Sequence, residues 1–258
     1  MPFANAEGAS IYYELNGSGP AIMLIHGSGG HHMAWWRQVA YLSQWFTVLT
    51  LDLRGFGNSS PVEGGPDSLD FVKDLEAVLD AAGVKRCALL GQSIGALPAL
   101  RVAVRRPAQI SAVLLAHSLG GINDPELAEL TAADRREAEK LAVIDRLLTK
   151  EFQSGQPALT FLFRQMGTFN HAKMADLRNL SARGPTVDEI VSAGVKIIFL
   201  CGERDAVLRN ATVRRAHEKV PGSTLCAVPN GPHSLYWEMP EVFNTMVHQL
   251  LNSVYAAA

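Results

Sequence analysis

At 258 residues, with 48% hydrophobic and 19% charged side chains, the chain is long enough for one large domain with a buried core, and its composition excludes global disorder. Its 23 lysines and arginines nearly balance 25 aspartates and glutamates, giving a formal charge of −2, so electrostatics supplies no reason to expect nucleic acid or an anionic membrane as partner. A small-molecule substrate, neutral or weakly charged, is the expectation.

Along the chain, residues 1–20 lack the basic start and apolar core of a secretory signal. Residues 10–15 (SIYYEL) end at the turn pair Asn16-Gly17 and read as an early strand of a hairpin. Short continuous apolar runs follow: Ala21–Ile25, Phe46–Leu51, Cys87–Leu90, Ala112–Leu115, Val195–Leu200 and Leu225–Val228. Runs of this length, bounded by glycine, asparagine or proline, predict strands buried on both faces. Between them lie helical patterns at Ser68–Ala82, Ile94–Arg105 and Ala211–Lys219. The first puts Leu69, Val72, Leu75, Val78 and Leu79 on one face and stops at Gly83. Strand and helix in alternation predict an α/β fold, a mostly parallel sheet with helices on both faces. Right-handed crossovers then bring the C-terminal strand ends, where ligands gather, to one edge.

Residues 120–185 break that rhythm. They are rich in helix formers, carry no buried-strand pattern, and hold Leu141, Ile144, Leu148, Phe152 and Phe161–Phe163, which need a surface to cover. The segment reads as a helical cap, or lid, inserted into a core built from 1–119 and 186–258. No apolar stretch approaches the ~18 residues that span a bilayer. The three cysteines, Cys87, Cys201 and Cys226, show no C-x-x-C spacing and read as reduced thiols. A cytoplasmic enzyme, monomer or homodimer, with neither cofactor nor metal, is the expectation.

The sharpest motif is Gly91-Gln92-Ser93-Ile94-Gly95, a G-x-S-x-G between an apolar strand and a helical pattern. A serine on such a tight turn is lifted out at the sheet edge, beside a helix N-terminus whose N–H groups favour a developing oxyanion. Its hydroxyl is a weak nucleophile and needs a base. His233, in Gly231-Pro232-His233-Ser234, follows the last apolar run and lies at the same edge; His117, also after a strand, is the rival. A carboxylate must orient the base. Asp205 follows Val195–Cys201 at the correct edge, with Glu203 and Asp124 as alternatives. Two N–H donors are expected for the oxyanion: Ile94, after the nucleophile, and Ser28 (or Gly29) in the loop His26-Gly27-Ser28-Gly29-Gly30. Trp35, Trp36, Phe161, Phe163, Met166 and Phe169 are candidates to line an apolar acyl or aromatic pocket.

With these residues in hand, about residues 10 to 252 resemble the α/β-hydrolase family. The likeness rests on His26-Gly27, the segment Asp52-Leu53-Arg54-Gly55-Phe56-Gly57-Asn58-Ser59, the Ser93 turn, Gly202-Glu203-Arg204-Asp205, and His233 followed by Glu238 and Pro240. It implies an eight-stranded sheet with a helical cap, Ser93, Asp205 and His233 as the triad, Ser28 and Ile94 as oxyanion donors, and a structural role for Arg54. Serine at the nucleophile position argues against dehalogenase or epoxide hydrolase chemistry. Gln92 and Gly95-Ala96 depart from the residues common around the serine of carbon–carbon bond hydrolases. The expected activity is therefore cleavage of carboxylic esters through an acyl-enzyme. Carbon–carbon cleavage or a lyase reaction with the same triad, and a slow-turnover ligand receptor, are the alternatives.

Overall fold

A computed structural model of the protein describes residues 2–256. Strands β1 (Phe3–Ala6) and β2 (Ala9–Asn16) form an antiparallel hairpin turning at Glu7-Gly8. The expected hairpin thus lies before β2 and not after it. The turn at Asn16-Gly17 leads instead to β3 (Ala21–Ile25), which pairs elsewhere in the sheet. Helix α1 (Trp36–Leu42), β4 (Thr47–Leu51), α2 (Phe71–Ala81), β5 (Cys87–Gln92), α3 (Ala96–Arg105) and β6 (Ile110–Ala116) follow in alternation.

Beyond β6 come α4 (Pro125–Ala138), α5 (Val143–Leu147), α6 (Lys150–Gly155) and α7 (Pro157–Met166), then α8 (Val187–Ala193). Local chemistry sets their starts: Asp124 accepts the Leu127 N–H with Pro125 next to it, and the Thr149 hydroxyl accepts the Phe152 N–H. The chain closes with β7 (Lys196–Gly202), α9 (Asn210–Lys219), β8 (Thr224–Val228), α10 (Leu235–Glu238) and α11 (Pro240–Ala256). None of the described helices is long and apolar enough to cross a membrane.

In space the eight strands run β1-β2-β4-β3-β5-β6-β7-β8. β2 is antiparallel to both neighbours and every other pair is parallel. The continuous apolar runs follow from this, because each central strand feeds two cores. Cys87 and Leu89 of β5 pack with Phe71, Leu75 and Val78 of α2 and Ala99 and Leu100 of α3. Ala88 and Leu90 face the other way, against Trp35, Leu42 of α1 and Phe243, Val247 and Leu251 of α11. Each such Leu, Val or Phe contributes roughly 1.5–3 kcal/mol by leaving water.

Two expectations need correction. α2 begins at Phe71, three residues later than the periodicity suggests, because Asp67 accepts the Leu69 N–H and holds that residue in a turn. Leu69 is accordingly exposed and not part of the core face. β8 is an edge strand with one neighbour, so Thr224–Ala227 and the Cys226 thiol are only half-buried.

One buried ion pair ties the loop after β4 to α2. The Arg54 Nε and Nη2 groups donate to Asp74 Oδ1 at 2.8 and 2.6 Å, and the Arg54 N–H donates to Asp74 Oδ2 at 3.0 Å. Asp74→Ala, which leaves the buried guanidinium only the Asp70 carboxylate and the Glu7 carbonyl, each at 3.5 Å, is expected to lower unfolding stability by about 3 kcal/mol in a denaturant titration. A loss below about 1 kcal/mol would show that the pair contributes little.

Candidate active site

Parallel register sets up the site. Ile25 pairs with Gly91, Gln92 with Ala116, and Gly202 with Val228, so β3, β5, β6, β7 and β8 end along one edge. The segments that leave this edge carry Ser28, Ser93, His117, Asp205 and His233. Ser93 follows the last residue of β5 directly and opens a 3-10 turn, Ser93–Gly95, that feeds α3. Its φ is +52°, a left-handed conformation that serine rarely adopts. The turn closes only because its neighbours lack side chains: a Cβ on Gly91 would lie 2.5 Å from Ala96 Cα, and one on Gly95 2.5 Å from the Ile25 carbonyl oxygen.

Asp205, three residues past β7, is the hub. His233 Nδ1–H donates to its Oδ1 and Oδ2 at 2.9 and 3.0 Å, which leaves His233 Nε2 as the ring's unprotonated nitrogen. The Val207 and Leu208 N–H groups donate to Oδ1 at 2.8 and 3.0 Å. His117 Nδ1–H donates to Oδ2 at 2.9 Å. Burial alone would raise the Asp205 pKa, but electrostatic attraction to, and hydrogen bonds from, the His233 and His117 imidazoles outweigh it and hold the carboxyl far below the usual range. His117 was expected only as a rival base; here it shares the carboxylate with His233. Ser93 Oγ is not hydrogen-bonded to His233. The Gln92 amide nitrogen lies 3.5 Å from His233 Nε2. Such nucleophile–base contacts commonly tighten only when substrate is bound.

Ser28 lies on the loop after β3, and Ile94 is the second residue of the Ser93 turn, where a helix N-terminus leaves N–H groups without intrahelical acceptors. The loop is anchored from beneath. His26 Nδ1–H donates to the Gly27 carbonyl at 2.8 Å, and His26 Nε2 accepts the Leu53 N–H at 3.1 Å. Asp52 ties the same loop to the next one, accepting the His32 N–H at 2.6 Å and the Asn58 N–H at 2.8 Å.

Burial pushes His26 down from 6.5 to about 4, so it is neutral in the fold. Its pKa is depressed on folding, so the unfolded chain takes up the proton first, and stability falls as pH drops from 6.5 towards 4. Over that window the loss from this group amounts to about 3 kcal/mol. Thermal melts between pH 7 and 4 should show it, and His26→Asn should flatten the slope. An unchanged slope in the variant would assign the pH dependence to other groups.

A cavity of about 270 Å³ adjoins the Ser28–Gly30 loop, lined also by Ala34, Val143, Ile144 and Leu147 of α5, Phe163, Arg164 and Met166 of α7, Gly167, and Tyr236 and Trp237 of α10. Of the six aromatic and sulfur candidates, Phe163 and Met166 line it. The others sit elsewhere: Trp35 is fully buried beneath it, against Tyr236 and Phe243, while Trp36, Phe161 and Phe169 are 43%, 65% and 68% exposed. One residue of helical rotation separates a lining side chain from an exposed one. Tyr236 and Trp237 were missed, although an aromatic pair three residues after His233 could have pointed to them.

A model of the alpha/beta hydrolase family matches residues 22–246. The chain belongs to that family. Among curated α/β-hydrolase relatives, a putative carbamate hydrolase RutD of Azorhizobium caulinodans is 23% identical, covering 96% of this chain and 97% of its own. Among solved structures, a thermophilic esterase from Thermogutta terrifontis superposes with a TM-score of 0.83 at 22% identity, over 98% of both chains. The enol-lactonase of Burkholderia xenovorans LB400 does so with 0.81 at 23%, over 97% of this chain and 100% of its own. At these identities the structural likeness speaks to the α/β-hydrolase fold.

Among the described residues, two clusters bring the ligand-capable atoms of three side chains within 4.8 Å of one another: His31, His32 and Asp52, and His117, Asp205 and His233. His32 Nδ1 meets Asp52, and His117 and His233 Nδ1 meet Asp205, at 2.8–3.0 Å, the separation of an N–H···O hydrogen bond, while His31 Nε2 has no hydrogen-bond partner.

Proposed function

We propose that this protein is a serine hydrolase of small-to-medium carboxylic esters. The observation that carries the reading is Ser93 itself, a non-glycine residue held at φ +52° on the turn between β5 and α3, at the sheet edge shared with the buried Asp205–His233 pair. Such strain persists only where the surroundings enforce it, and it clusters at functional sites.

The chemistry then runs in two steps. Ser93 Oγ attacks the ester carbonyl carbon as its proton passes to His233 Nε2, and the oxyanion rests on the Ser28 and Ile94 N–H groups. The carbon–oxygen bond breaks, with the proton on Nε2 going to the departing alkoxide. Water, deprotonated by the same nitrogen, then releases the acid and restores Ser93. Asp205 holds the Nδ1–H tautomer and offsets the charge on the imidazolium. Residues 120–185 act as the cap: α5 and α7 close one side of the cavity and α10 the other. The putative carbamate hydrolase, the esterase and the enol-lactonase to which the chain is similar support this class. A small-molecule substrate and a cytoplasmic monomer or homodimer are part of the proposal.

The cavity of about 270 Å³ beside the Ser28–Gly30 loop is the proposed acyl pocket. Across p-nitrophenyl esters from acetate to octanoate, kcat/KM is expected to peak among the shorter chains and fall by octanoate. Many turnovers per chain with that optimum support the reading. No more than one turnover for every ester overturns it in favour of a receptor or a lyase on the same fold.

A further inference from the structure

We propose that His117 is a positioning residue for the triad: by donating Nδ1–H to the second oxygen of Asp205, it restrains the carboxylate and weakens its pull on His233. The inference rests on the serine-hydrolase reading for its role in turnover, but the coupling between the two histidines stands on geometry alone.

Several observations carry it. Asp205 Oδ2 lies between two imidazoles, 2.9 Å from His117 Nδ1 and 3.0 Å from His233 Nδ1, and the rings meet edge to face with centroids 5.5 Å apart. His117 sits directly after β6 with φ +56°, and its backbone N–H donates to the Leu200 carbonyl of β7 at 2.8 Å. This kink turns the side chain towards the loop that extends β7. The side chain is completely buried. Its Nε2, by contrast with that of His26, has no hydrogen-bond partner. An imidazole kept only for packing would leave that nitrogen unsatisfied at a cost in stability that an apolar residue would avoid. What distinguishes histidine here is the δ-nitrogen donor aimed at Asp205.

The ionisable groups acting on His117 are Asp205, from the loop after β7, and His233, from the loop after β8; on Asp205 they are the two histidines. The nearby Cys201 thiol is pushed up to about 11, by burial first and by Asp205 among its neighbours, and stays protonated. Burial lowers the His117 pKa more than Asp205 raises it, so the ring is a neutral donor. A neutral donor on Oδ2 draws off carboxylate charge that would otherwise stabilise a protonated His233. Removing it should therefore favour the imidazolium, and activity, which needs the neutral base, should fade at a higher pH.

The test compares wild type with His117→Ala, His117→Gly and His117→Asn. Glycine enters the left-handed region freely and secures a donor-free variant if alanine folds poorly. Asparagine tolerates φ +56° and presents its amide nitrogen where Nδ1 stood. Two readouts are taken: the acid limb of kcat/KM on the best ester, and the titration midpoint of His233 followed by its imidazole NMR signals, which needs no turnover. The donor-free variants should move both midpoints up by about 0.5–1 pH unit, and His117→Asn should bring them back. Unmoved midpoints in a folded donor-free variant overturn the proposal. If the wild type hydrolyses no ester, the ester reading fails, while the NMR titration still decides the coupling.

Discussion

Ser93→Ala should lower kcat for ester hydrolysis by a factor on the order of 10⁶. The size follows from the division of labour at the sheet edge. Without Oγ no acyl-enzyme forms, and His233 has no nucleophile to activate; the residual rate comes from binding and from the oxyanion donors alone, which still hold a water-accessible carbonyl. Because alanine removes only one oxygen from a turn that glycines already accommodate, the fold should be unaffected, with a melting temperature within a few degrees of wild type. Steady-state kinetics on purified variant, with an active-site titration to exclude wild-type carry-over, checks the rate. A loss below about 100-fold would place the nucleophile elsewhere.

Asp205→Asn should cost about 10⁴ in kcat, and its cause differs. The carboxylate accepts from four N–H groups: both imidazoles, Val207 and Leu208. An amide offers one oxygen and turns an NH₂ towards donors. If the oxygen stays on the Val207 and Leu208 side, His117 faces a donor outright, and His233 Nδ1, between the retained oxygen and the new NH₂, is pressed towards the tautomer that places its proton on the nitrogen that must receive one from Ser93. The imidazolium also loses its counter-charge. Unlike Ser93→Ala, this substitution should destabilise the fold, because two buried imidazoles lose a charged acceptor; hydrogen bonds to charged groups contribute about 1.5–3 kcal/mol each. Kinetics and denaturant titration on one sample separate the two effects. Near-wild-type turnover in Asp205→Asn would mean that another group orients the base.

The parts of this molecule that chain patterns reveal are those in which one physical demand acts on neighbouring residues. Strands such as β3, β5 and β7 read as continuous apolar runs because both of their faces are buried. The Ser93 turn declares itself because a strained serine requires small neighbours at fixed offsets. β1 was invisible: four residues, Phe3–Ala6, with Phe3 exposed, carry no pattern until β2 pairs with them. Edge position likewise hid the half exposure of β8.

Side-chain direction was the harder quantity. Trp35 and Trp36 are adjacent, yet one is in the core and the other at the surface, while Tyr236 and Trp237 reach the cavity because α10 turns immediately after His233. His117 was legible as a histidine at a strand end. That it shares the Asp205 carboxylate depends on a backbone torsion at a single residue, which no periodicity encodes.

The most direct test of the account is covalent capture of the nucleophile. The protein is incubated with a fluorophosphonate, digested, and mapped by mass spectrometry alongside residual esterase activity. The account predicts one adduct per chain, on the peptide containing Ser93, growing in step with loss of activity and absent from Ser93→Ala. Full inactivation with Ser93 unmodified, or an unlabelled protein that still turns over esters, would contradict it.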